Sequence, residues 1–409
     1  MKPFFIRSTI MYVWISFLVV SMMLLAASLV CFFDNRRQRR LPFEKSISFL
    51  VPCYNDGHTV EHTVRSILES WDPERTEVIV ADDASTDDSA AVLRELQQVL
   101  TFRLENNLVN LGKAETLNRL ASLATHDVIV FVDADTCLNT AAMQDMTARL
   151  ANDDRLGAVS CPYRPANRGW LPCLQAIDYS MISLLQGAYN VFSGLALWGG
   201  CIAVRKVAFK AAGGFSLSAI TEDVNLAYML NRVGWRVEQS LIPVLSHVPD
   251  ALRPWIKQKI RWTAGGFQCL LRHPSVWLRN PLQVFMLTLY SALSLNAAFT
   301  FVRQTLFLDR LFDLIAPLAN TLPVSQVLRI LEPIYGQALV SSLQLTLCFT
   351  LLSSVYVVPL ISKWQDSPLL LLIIPFSLGY FPLYTLLSVA GFVYLILNTR
   401  RIERTLRAW

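Results

Sequence analysis

The sequence predicts an α/β domain built on a mostly parallel sheet, with membrane-spanning helices at both ends. Three observations predict it. Short apolar runs alternate with helical patterns between Arg36 and Asn280. Long stretches almost free of charge lie outside those limits. Acidic residues gather where the predicted strands end, which says where a ligand would bind.

Of the 409 residues, 53% are hydrophobic and 16% charged, an apolar balance for a soluble chain of this size. Ser8–Phe33, Pro281–Val302, Ile334–Ile361 and Pro368–Leu397 each approach or exceed the roughly 20 apolar residues that a span requires. The expected organisation is an N-terminal span (1–33), a globular domain (34–250), an interfacial segment (251–280), a membrane region (281–397) with an amphipathic segment at 303–333, and a basic tail (398–409). Arg36–Arg40, reading RRQRR, follows the first span; the positive-inside bias puts the globular domain in the cytoplasm. Membrane-flanking arginines account for most of the net charge of +5, and no basic stripe calls for nucleic acid. The eight cysteines are scattered without C-x-x-C spacing, which argues against a zinc site or a disulfide framework.

Within the domain, Ser46–Pro52, Glu77–Asp83, Asp127–Asp135 and Gly157–Pro162 are short apolar runs closed by turn residues. Phe102–Asn106 is a more polar version. Helical patterns fall at His58–Ser70, Asp88–Leu100, Ala114–Ala124 and Thr140–Leu150. Strands alternating with helices give a parallel sheet covered on both faces, and ligands of such sheets bind beyond the carboxyl ends of the strands. Those ends carry Cys53-Tyr54-Asn55-Asp56, Asp82-Asp83 and Asp133-Ala134-Asp135, with Lys113 just past Gly112. Neither G-x-G-x-x-G nor a phosphate loop is present, so a dinucleotide fingerprint is not supported. A phosphorylated ligand at an acidic edge needs a divalent cation, and Asp-x-Asp offers the hard oxygens that suit Mg²⁺ or Mn²⁺. An ordinary strand-ending turn is an equal reading of Asp133–Asp135 taken alone.

Seven stretches in order, VPCYNDG, ADDASTDDS, NLGKAETLN, FVDADT, LWGGCIAVRKVAFKAAGGF, ITEDVNLAYMLNRVGW and QKIRW, span Val51–Trp262. Together they resemble the processive family 2 glycosyltransferases, whose catalytic domain is the Rossmann-like GT-A fold. Among these the chain is most similar to bacterial poly-N-acetylglucosamine synthases. The resemblance implies a bacterial inner-membrane enzyme. It would transfer N-acetylglucosamine from UDP-N-acetylglucosamine to a β-linked polysaccharide, coupled to export. It also implies roles. Asp82 and Asp83 would contact uracil and ribose, with Asn55 and Lys113 nearby, and Asp133 would hold the nucleotide-sugar. Asp135 would bind the metal. Asp223, beside Glu222 in Thr221-Glu222-Asp223, would be the general base. Gln258, Arg261 and Trp262 would cover the diphosphate and the acceptor sugar, and Trp198 and Gly199 would shape the acceptor pocket. One departure is Ala84, where the family usually has glycine.

The residues fit that chemistry. A sugar diphosphate leaves well once its charge is neutralised, whereas an acceptor hydroxyl needs a nearby base. In a helix, Gln258, Arg261 and Trp262 stand at i, i+3 and i+4 on one face: an amide, a two-pronged cation suited to diphosphate and a flat apolar plane. Without the upstream motif, the same run reads as a basic amphipathic helix at a membrane surface. Likewise Glu222 and Asp223 suit the start of a helix on charge alone. Other readings are single transfer to a lipid acceptor, a hyaluronan- or cellulose-type synthase, and an inactive export scaffold. So few spans also raise a small partner subunit that completes the channel.

Overall fold

The computed structural model describes residues 45–191, 193–281 and 381–397 continuously, with scattered single positions elsewhere. The chain forms two compact units: Ala27–Pro281 with Ala390–Trp409, and Met1–Ala26 with Leu282–Val389. Most described residues belong to the first.

At its centre is a seven-stranded sheet. It contains β1 (Ile47–Cys53), β2 (Thr76–Asp82), β3 (Arg103–Asn106), β4 (Val128–Val132), β6 (Leu156–Ser160), β8 (Cys201–Arg205) and β9 (Arg236–Gln239), in the order β3-β2-β1-β4-β8-β6-β9. Neighbours are parallel except β8, which runs antiparallel to β4 and β6. A smaller sheet orders β5 (Thr136–Cys137), β10 (Val244–Ser246) and β7 (Tyr163–Pro165) as β5-β10-β7. It brings the segments after β4 and after β6 together.

The side chains of β4 alternate. Val128, Val130 and Val132 enter one buried cluster with Phe49, Val64, Met143 and Met146. Ile129 and Phe131 enter the other with Leu50, Leu117, Phe209 and Leu226. That is the period-2 signature of a strand with both faces covered. The four expected helices are α1 (Val60–Ser70), α2 (Ser89–Leu96), α3 (Lys113–Leu123) and α4 (Thr140–Asn152). The second stops four residues earlier than its pattern predicts, because the amides of Gln98 and Val99 bond to carbonyls three residues back and tighten the chain into turns. Further helices are α5 (Trp170–Ala188), α6 (Lys206–Ala212), α7 (Glu222–Arg232), α8 (Leu252–Arg272), α9 (Pro274–Arg279) and α10 (Phe381–Leu397).

Among the described residues, no helix is long and apolar enough to cross a membrane. The expected spans before residue 34 and over 281–361, the amphipathic segment 303–333 and the basic tail lie almost wholly outside the described residues. Of Pro368–Leu397, the helix α10 is described continuously.

Candidate active site

Three parallel strands deliver the acidic tips to one edge. Cys53 and Asp82 are register partners across β1 and β2, and the Asp83 amide continues the pairing to the Cys53 carbonyl at 2.8 Å. Asp83 is fully buried. Its carboxylate accepts from the amides of Leu111 and Gly112, each at 2.9 Å, and from the Asn107 side chain at 2.6 Å. Asp83 therefore holds the 107–112 loop that launches Lys113, while Asp82 lies beside it at the strand end. Asn55 sits at φ 58°, and its Oδ1 accepts from the amides of Thr86 (2.8 Å) and Asp87 (3.3 Å). Between them Ala84 is at φ 57°, in the left-handed region where glycine costs least. That is the physical content of the sequence departure at this position.

Lys113, at the start of α3, reaches across to β4. Its Nζ lies 2.5 and 2.7 Å from the two carboxylate oxygens of Asp133 and 3.3 Å from Glu222 Oε1. Burial works against the ammonium, but Asp133 and then Glu222 outweigh it and hold its pKa above the usual lysine range. Burial pushes Asp133 up to about 6, with Lys113 opposing and Asp135 adding. Glu222 is held below its usual value: Lys113 and then Arg261 overcome the burial. Burial, followed by the charge of Glu222, pushes Asp223 up to about 7. One lysine thus links the carboxylate that follows β4 to the first turn of α7.

Asp223 lies over the turn after Trp198. A methyl group built at Gly199 would sit 2.7 Å from Asp223 Oδ2. At Gly200 the same methyl would lie 2.6 Å from the Tyr163 ring and 2.9 Å from Thr136 Oγ1, and the Gly200 amide donates to the Tyr163 hydroxyl. These glycines allow the close backbone approach expected of them. Trp198 is buried. Its indole N–H donates to Gln239 at 2.8 Å and its amide to Ser160 at 3.0 Å.

The helix α8 carries Gln258, Arg261 and Trp262 as expected. Arg261 is exposed, and the other two are half-buried. Gln258 Oε1 is buried with no hydrogen-bond partner among the described residues. Three contacts fix α8 and its C-terminal cap against α7 and the two residues that precede it. Gln268 accepts from the Ile220 amide at 2.8 Å. Asn225 meets His273 at 3.0 Å. Gly265 lies so close to Thr221 that an added methyl would be 2.3 Å from its Oγ1. Sequence reasoning missed Gln268, Tyr163 and the buried Lys259–Asp178 pair. For Gly265 the signal was available in TAGG; for the others no motif pointed to them.

The residues suit a divalent cation shared with phosphate. Asp135 accepts from the Thr136 hydroxyl at 3.0 Å, and burial, then the nearby Asp56 charge, raise its carboxyl. Positive charge there would relieve both. No group of three metal-binding side chains converges among the described residues. Mg²⁺-type sites commonly use one or two carboxylates and take remaining ligands from substrate phosphates and water.

Residues 48–211 match the family described as Glycosyl transferase family 2. Two curated relatives are poly-beta-1,6-N-acetyl-D-glucosamine synthases. That of Staphylococcus epidermidis is 31% identical over 239 residues, and that of Staphylococcus aureus strain COL is 30% identical over 237. Each match covers 56% of this chain and 56% of the relative, so the chain spans little more than half the length of the relatives it matches. Among solved structures, a mannosyltransferase from Pyrobaculum calidifontis, in complex with GDP-Man and Mn²⁺, has a TM-score of 0.57 at 17% identity. The superposition covers 95% of this chain and all of that one. It supports the GT-A-like α/β fold.

Proposed function

We propose that the protein is an inverting, metal-dependent glycosyltransferase of the inner membrane. It moves N-acetylglucosamine from UDP-N-acetylglucosamine to a growing β-linked polysaccharide, coupled to export. The observation that carries this is the meeting of Asp223 with Gly199, beside the Lys113–Asp133–Glu222 network. The family 2 domain supports the reaction class, and the staphylococcal relatives support the sugar and the polymer.

In this reading the β1–β2–β4 edge takes the UDP. Asp82, the 107–112 loop held by Asp83 and the turn at Thr86 and Asp87 held by Asn55 line the nucleoside side, and Asp133 orients the donor sugar through Lys113. Asp135 would hold Mg²⁺ or Mn²⁺, which supplies charge neutralisation to the diphosphate. Asp223 accepts the acceptor hydroxyl's proton as that oxygen bonds to the anomeric carbon. The glycosidic bond to UDP breaks on the opposite face, so an α-linked donor gives a β-linked product. A base near neutral pKa is well matched to this step. Glu222 stays ionised against Lys113. Arg261 offers its fork to the diphosphate, and Gln258 and Trp262 face the acceptor. Membrane location, export and a small partner subunit belong to the same proposal.

The test is UDP release by purified, detergent-solubilised protein with UDP-N-acetylglucosamine or UDP-glucose, with and without EDTA. The expected result is cation-dependent release from the first donor, abolished in Asp223→Asn, with a polymeric product. Chelator-resistant release would reject the metal, and a product of one sugar on lipid would reject polymerisation. No release in detergent or in native membranes would reject catalysis.

A further inference from the structure

Lys259 lies inside the Gln258–Trp262 segment but faces away from its exposed side. It is fully buried. Its Nζ is 2.8 Å from Asp178 Oδ2 on α5. The same ammonium stands 4.3 Å from the Trp262 ring centroid and 4.8 Å from that of Tyr179. Trp262 follows Lys259 by three residues, so both stand on one helix face. The rings continue toward Asp223. Tyr179 lies 5.9 Å from Trp262 and 5.6 Å from Trp198, and Trp262 meets Trp198 edge-on at 6.5 Å. Trp198 is itself fixed by Gln239 and Ser160 and precedes the glycine beneath Asp223.

A buried ion pair is a poor way to gain stability, because an apolar pair of similar volume often does as well or better. It is a good way to fix an orientation. The ammonium is tethered by Asp178 from one helix and attracted by the ring of its own helix. Trp262 is only half-buried, so it keeps surface for a ligand, and a flat indole suits the apolar face of a pyranose ring.

We propose that Lys259 and Asp178 are positioning residues. Their ion pair locks Trp262 and Tyr179 into a carbohydrate platform that aligns the acceptor sugar with Asp223. This rests on the transferase reading above and adds to it the residues that set acceptor affinity.

The experiment compares wild type, Lys259→Met, Lys259→Arg and the double variant Lys259→Met/Asp178→Leu. The reads are thermal melting, calorimetric binding of a β-linked N-acetylglucosamine oligosaccharide, and the KM for donor and for that oligosaccharide. Lys259→Met alone leaves Asp178 buried without its cation and should melt lower. The double variant should melt near wild type and keep the donor KM. It should bind the oligosaccharide about 30-fold more weakly, the factor expected of a desolvated cation–ring contact. Lys259→Arg should recover part of the loss. A double variant that binds the oligosaccharide like wild type would overturn the proposal and leave the transferase reading intact. Wild type that releases no UDP yet binds the oligosaccharide, with the double variant weakened, would overturn the transferase reading and keep the platform. Wild type that does not bind the oligosaccharide would overturn the platform.

Discussion

Asp223 rests on Gly199, with its Oδ2 only 2.7 Å from where a β-carbon would stand. The proposed general base and the proposed acceptor turn therefore share one volume, and residue 199 must be glycine for Asp223 to keep its place. Gly199→Ala should cost about 100-fold in UDP release, the usual scale for displacing a catalytic group by about 1 Å. The melting temperature should fall as well, because residue 199 is buried and overpacking there costs about 1–3 kcal/mol. Steady-state rates and a melting curve check both; a variant with wild-type turnover would show that Asp223 tolerates displacement.

The pH profile follows from the raised Asp223 pKa of about 7. A base must be unprotonated, so kcat/KM should climb about tenfold per pH unit below that value and flatten above it. Stability runs the other way. The folded state holds this proton more tightly than the unfolded chain, whose carboxyl titrates near 3.8. The site's contribution is thus fullest below 3.8 and is lost as pH rises through 7. Asp223→Asn should accordingly raise the melting temperature more at high pH than at low pH. Equal effects at both ends would contradict a buried, neutral-at-low-pH carboxyl.

Ala84→Gly should stabilise the protein by about 1 kcal/mol. The left-handed backbone costs alanine about 1–2 kcal/mol, less the extra freedom glycine has when unfolded. Denaturant unfolding gives the number, and a loss of stability would mean the Ala84 methyl makes packing contacts that outweigh its φ of 57°.

At the α7–α8 contact, Gly265→Ala would drive a methyl into Thr221 at 2.3–2.4 Å. Overpacking of this kind costs about 1–3 kcal/mol. Melting should fall by that measure and UDP release with it. Adding Thr221→Ala should restore part of the melting temperature. No recovery would place the strain elsewhere.

The parallel core was legible because burial on both faces leaves uninterrupted apolar runs such as Val128–Val132, and because the turns that end them use distinctive residues. The short strands β5, β7 and β10 were not. Two or three residues carry no periodicity, and their pairing joins segments more than 80 positions apart. The titratable residues at the strand ends were visible as motifs, yet their division of labour was not. Asp82 and Asp83 are neighbours of one type, and only the fold reveals that Asp83 spends both oxygens on the 107–112 loop. Lys259 reads in sequence as one more cation of an amphipathic helix. Its partner Asp178 lies 81 residues away, in a helix that the sequence reading did not mark.

The contacts that tie α7 to α8 also set the unit of exchange for engineering. The family match ends at residue 211, but the Ile220–Gln268, Thr221–Gly265 and Asn225–His273 contacts lie beyond it. A chimera joined at residue 211 would take the sheet through β8 from one parent and the α7–α8 contacts, shaped for a different sheet, from the other. Swaps of specificity between related chains should therefore carry the segment from β1 through the end of α8 as one cassette.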